Sequence, residues 1–205
     1  MRTSGRGVPL ILYPLIMLSG IGSGICLYIW FRLYTLFFGI HKLSATTVMI
    51  SILAGMATGS LIIGRLADKT SRLFVLLIIV EMLIGLYTLL HPFLFNKLTW
   101  LFNLINQGIY PGPFGVEILR FFLSFIFLVI PTALMGGLVP VLSKHSVEHF
   151  RRPGIILSSV ISLLIFGILL GLLFSGFFCI QQFGIRTTLI FAAIIFIINS
   201  SFFNN

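Results

Sequence analysis

Residues 154–179 read GIILSSVISLLIFGILLGLLFSGFFC, 26 positions without a charged side chain. At 1.5 Å per residue a helix of that length measures roughly 39 Å, longer than the ~30 Å hydrocarbon core of a bilayer. Further apolar runs lie upstream and downstream of it. We place spans near 9–37, 43–64, 73–95, 116–142, 154–179 and 186–203. The longer first, fourth and fifth runs must tilt, kink or extend beyond the hydrocarbon.

Composition leads to the same reading. Of 205 residues, 59% are hydrophobic and only 8% charged, with a mean hydropathy of +1.17, whereas soluble domains carry about one quarter charged residues. Such a chain cannot cover itself with polar surface, so its solvent is lipid. In lipid the backbone must satisfy its own hydrogen bonds, which leaves helices or a closed barrel. A barrel needs apolar and polar residues alternating over strands of roughly ten, and these runs are unbroken. The expectation is an all-α integral membrane bundle of about six helices forming one domain over residues 1–205.

The net charge of +9 comes from 13 Lys and Arg against four acids. A nucleic-acid reader gathers such charge on one soluble face; here it sits between the runs, where it anchors helix ends and sets orientation. Arg2, Arg6, Arg65, Lys69, Arg72, Lys144, Arg151 and Arg152 fall on one side, against Arg32, Lys42, Lys97, Arg120 and Arg186 on the other. Eight against five makes the first side cytoplasmic, and an even number of spans returns both termini there. The expected location is a bacterial inner membrane. Arg2 and Arg6 ahead of an apolar run imitate a signal peptide, but the run is too long for one.

Between spans three and four, Leu98, Leu101, Phe102 and Ile105 recur at helical spacing with Asn96, Thr99, Asn103 and Asn106 on other faces. This predicts an interfacial helix over 96–107, with Trp100 near the headgroups and Pro111-Gly112-Pro113 turning the chain into span four. Gly55 with Gly59, and Gly167, Gly171 and Gly176, mark places where helices can approach closely. Pro131 and Pro140 should bend the fourth helix.

Glu81 is the one acid deep inside a span, roughly 12 Å from its cytoplasmic start. A carboxylate at that depth must face the bundle interior, find partners or take up a proton. Matching depth on the other spans brings Ser19, Thr58, Ser60, Thr132 and Ser162 to a similar level, a candidate polar belt that would make Glu81 a proton-coupled or substrate-binding group. The competing reading is a neutral, hydrogen-bonded structural acid. Glu117 stands one turn before Arg120, suited to a local ion pair, and Arg32 between Trp30 and Tyr34 suits an interfacial anchor.

Other patterns carry no chemistry. His145-Ser146-Val147-Glu148-His149 has the spacing of one zinc-protease class, but no later acid supplies a third ligand, and a cytoplasmic loop is the better reading. Asn199-Ser200-Ser201 is a formal glycosylation sequon discounted because it lies in the last span. Cys26 and Cys179 lie in apolar runs as core residues. No nucleotide loop, catalytic triad or metal pattern is present, so we expect no enzyme, cofactor or metal, and no nucleic-acid partner.

The segment Gly55 to Lys69, GMATGSLIIGRLADK, resembles the second-span motif of membrane-bound spermidine synthase-like proteins. Trp30-Phe31-Arg32 with Gly39 is similar to the end of their first span, Glu81 to Tyr87 to their third, Pro131 to Pro140 to their fourth, and Gly184 to Thr187 to their last turn. The resemblance implies a membrane module related to half of a major facilitator fold, without the aminopropyltransferase domain often fused to it. Gly64 to Arg72 also resembles the facilitator loop between spans two and three, which implies a cytoplasmic gate at Gly64, Arg65, Asp68 and Arg72. Leu164-Ile165 replace the family's Asn-Thr, removing a polar pair from span five. The resulting expectation is a transporter-like module with an unidentified substrate, completed by a homodimer or a second membrane subunit. The alternative is a non-transporting anchor for a separate cytoplasmic aminopropyltransferase.

Overall fold

A computed structural model describes residues 12–38, 42–109, 112–149 and 153–204. Arg2, Arg6, Gly39, Pro111, Arg151 and Arg152, used above for orientation, resemblance or turns, lie outside the described residues. The helices are α1 (Leu12–Phe38), α2 (Lys42–Lys69), α3 (Leu73–Ile109), α4 (Gly112–His149), α5 (Pro153–Phe174) and α6 (Ile180–Asn204), with a π-helical turn over Ser175–Cys179 joining the last two.

Five helical stretches are long and apolar enough to cross a membrane, the last running from Gly154 to Phe202. The described residues, almost all helical, therefore suit a multi-pass protein in a lipid bilayer. That last stretch is not one rod. Gly184 has φ 75° and ψ 170°, a left-handed backbone that a residue without a Cβ adopts freely. Packing shows the reversal: a Cβ on Gly20 would meet Gly167 of α5, and one on Gly22 would meet Phe196 of α6. A straight helix would hold Gly167 and Phe196 roughly 43 Å apart.

The expected interfacial helix at 96–107 is instead the continuation of α3, which runs 37 residues without a break. Its apolar positions explain this: Leu98 and Phe102 are buried, and Phe102 stacks edge-on against Phe37 of α1. Trp100 stays exposed. The segment 145–149, expected as loop, extends α4.

Pro131 and Pro140 both lie inside α4. Proline lacks an N–H, so Pro131 leaves the Phe127 carbonyl without its usual donor. The Tyr87 hydroxyl of α3 donates to that oxygen at 2.7 Å. Several other buried hydroxyls donate to their own helix, as Ser23 does to the Ser19 carbonyl and Thr132 to that of Leu128.

The packing repeats internally. The main helix pairs are α1 with α5 and α2 with α4, α3 with α6, and α3 with α4 and α1 with α6. This set is unchanged when α1, α2 and α3 are exchanged for α4, α5 and α6. The register is a shift of 112 residues. Tyr87 bonds the Phe127 carbonyl and Asn199 bonds that of Leu15, with 87 matching 199 and 15 matching 127. Gly55 faces the Val129 carbonyl as Gly167 faces that of Met17, Gly59 faces Ala133 as Gly171 faces Ile21, and Gly136 faces Met56 as Gly24 faces Ile168. Neighbouring helices alternate in direction, so α4 to α6 repeat α1 to α3 upside down. Gly85 meets Ile197, its own equivalent, which places the pseudo-two-fold axis between α3 and α6.

At the far end of α2, the Lys144 ammonium donates to the Ala67 carbonyl at 2.7 Å, capping a helix C-terminus from another helix. Lys144→Met should lower stability by about 1 kcal/mol, read from unfolding in mixed detergent micelles.

Candidate functional site

The α3 face that meets α1 carries Glu81, Ile84, Thr88, His91, Phe95, Leu98 and Phe102, the three- and four-residue spacing of one helical stripe. Glu81 heads this stripe, 1% exposed and one turn from the pseudo-two-fold axis at Gly85. Ser19 of α1 donates from Oγ to its Oε1 at 2.6 Å. Asn199 of α6 donates from Nδ2 to Oε1 at 2.9 Å and to Oε2 at 2.7 Å, and to the Leu15 carbonyl at 3.2 Å. One carboxylate thus ties together three helices. Asn199 Oδ1 is buried and unpartnered among the described residues.

Two turns along the stripe, Thr88 Oγ1 lies 3.5 Å from Cys26 Sγ while donating to the Ile84 carbonyl. Beyond it His91 sits in an aromatic box: Trp30, Tyr34, Tyr87 and Phe95 have ring centroids 5.6, 5.9, 6.1 and 6.1 Å from its imidazole. Both His91 nitrogens, Trp30 Nε1 and the Tyr34 hydroxyl are buried without a hydrogen-bond partner among the described residues. Unpaired buried polar atoms are uncommon, and four converge here.

Of the expected belt, the structure brings Ser19 to Glu81. Thr132 is buried on a different seam, beside Gly55 between α2 and α4. Thr58 and Ser162 are exposed and Ser60 is half-buried; the Thr58 hydroxyl donates to the Ala54 and Gly55 carbonyls. In the expected gate, Gly64 packs on the Pro140 ring, while Arg65, Asp68 and Arg72 are exposed around the α2 to α3 turn. Arg32 is exposed, but Trp30 and Tyr34 turn inward rather than to an interface, because their stripe on α1 faces His91. Arg120 lies over the Phe102 and Phe37 rings, 4.8 and 5.8 Å from their centroids.

Sequence reasoning missed Asn199 and His91. Asn199 was set aside as part of a sequon, although an amide in an apolar run poses the same burial problem as Glu81. His91 lies ten residues after Glu81 on the same stripe, which periodicity could have revealed. Cys26 and Cys179 are free and buried. Among the described residues, no three His, Cys, Asp or Glu side chains gather as a metal set would require.

Comparison with known protein families, curated proteins and solved structures finds no match for this chain. Its function must therefore be argued from its own geometry.

Proposed function

We propose that this chain is a six-crossing, transporter-like membrane module in which Glu81 is the proton-coupling group. The observation that carries the reading is a buried carboxylate held by α1 and α6 beside the axis of an inverted repeat. Inverted repeats are the common build of secondary transporters, whose coupling sites lie near the repeat interface. An ionisable group at that depth is costly and marks ion or proton pathways.

Asn199 gives the site its chemistry. Its amide nitrogen suits the ionised carboxylate; turned over, its oxygen accepts from the protonated acid. The same clamp holds both forms, and a change of protonation reorients a group shared by α6 and the α1 backbone at Leu15. The relation to spermidine synthase-like membrane modules belongs to this proposal, as does completion of a half-carrier by a second copy or another membrane subunit.

The exposed Arg65, Lys69 and Arg72 favour a second reading, a non-transporting anchor whose basic turn receives an acidic aminopropyltransferase surface or anionic lipid. Uptake of labelled putrescine and spermidine into proteoliposomes, with and without a proton gradient, separates the two. The expected result is gradient-dependent flux that Glu81→Gln reduces at least tenfold. Flux equal to that of empty liposomes from verified, folded protein would remove polyamine transport and favour the anchor.

A further inference from the structure

Two adjoining cavities of about 210 and 220 Å³ open along the seam between α3 and α6, both lined by Pro92, Asn96, Arg186 and Leu189. Leu89, Phe93 and Ile190 complete an apolar trench below the polar pair. Asn96 and Arg186 are exposed, and among the described residues no carboxylate lines either cavity. A guanidinium with an amide beside it matches a phosphate oxygen pair, and the trench matches an alkyl chain. The internal repeat adds a control. The position equivalent to Arg186 in the first unit is Phe74, an exposed apolar residue, so the cation is particular to this cleft and not a product of the repeated backbone.

We propose that this cleft seats one phospholipid, its phosphate on Arg186 and Asn96 and an acyl chain along the α3 to α6 seam. A single guanidinium at the rim of an apolar trench in a membrane helix bundle selects an amphiphile with an anionic head. A soluble anion would leave the trench unused. The site does not depend on the transport reading, because its polar pair lies about four turns along α3 from Glu81, although Thr88 and Phe95 of α3 and Leu33 of α1 also contribute to the cavity walls.

The test is native mass spectrometry of detergent-purified protein loaded with phosphatidylglycerol or with diacylglycerol of the same chains. The native chain should retain one phosphatidylglycerol with about tenfold preference over diacylglycerol. Arg186→Gln should bring the two to parity, and Ile190→Trp, filling the trench, should displace the lipid. Arg65→Gln, the same charge change at the opposite end, should leave the preference intact. Should Arg186→Gln give no monodisperse protein, Asn96→Leu reads the same contact through loss of preference. The proposal is overturned by undiminished retention in Arg186→Gln or Ile190→Trp, by equal loss in Arg65→Gln, or by full displacement with inorganic phosphate.

Discussion

Asn199→Leu should destabilise the bundle by about 2–3 kcal/mol, while Glu81→Gln should change stability by less than about 1 kcal/mol. The two substitutions touch the same hydrogen bonds and differ in what they leave behind. Removing Asn199 strips the carboxylate of both amide contacts and leaves Ser19 as its one remaining side-chain partner among the described residues. A buried charged group deprived of a partner costs far more than the bond was worth. Glu81→Gln keeps the shape, and once the Asn199 amide turns over its new NH2 can donate to Asn199 Oδ1, which is buried and unpartnered among the described residues. Equilibrium unfolding in mixed detergent micelles measures both. If Asn199→Leu were neutral, the carboxylate would not depend on this clamp, and the coupling role given to it would lose its support.

The second large effect concerns close helix contacts. Gly59→Ala should abolish or severely reduce folded protein, whereas Gly64→Ala, five residues on in the same helix, should be tolerated. A Cβ at Gly59 would run into the Ala133 backbone, which no rotamer change can relieve. At Gly64 the nearest atoms are Cβ and Cγ of Pro140, at 3.5 and 3.7 Å, ordinary contact distances. Overpacking typically costs 1–3 kcal/mol where neighbours can shift, and here α2 and α4 would have to separate along their shared seam. Yield and monodispersity in detergent test the pair. The inverted repeat extends the expectation to Gly171→Ala, the equivalent of Gly59, which should fail in the same way against Ile21.

The helical class was legible because unbroken apolar runs permit little else. Gly55, Gly59, Gly167 and Gly171 were legible as packing points, since small residues four apart leave a groove. The partners of those grooves were not, because Met17 or Ala133 is unremarkable in sequence and its carbonyl becomes important only when another helix lies on it. Glu81 announced itself through its cost in lipid. Its clamp did not: depth matching found Ser19 but also gathered Thr58 and Ser162, because depth fixes the level of a residue and not the direction it faces. The extension of α3 was hidden by polar residues at Asn96, Asn103 and Asn106, which read as a surface helix although Leu98 and Phe102 continue the buried stripe. The repeat escaped notice because it conserves burial and contact geometry more than residue identity: Tyr87 and Asn199 make equivalent bonds with different chemistry.

The 112-residue register also bears on how the chain enters a membrane. Arg32 and Lys144 occupy equivalent positions in units of opposite sense, so a basic residue there pulls the two units toward opposite sides and its influence on insertion cancels. Arg65, Lys69 and Arg72 have no such counterweight, since their equivalents are Phe177, Gln181 and Gly184. A preference for one direction of threading must therefore come from cations outside such pairs, among them these three at one end of the bundle and, at the other, Arg186, whose equivalent is the apolar Phe74.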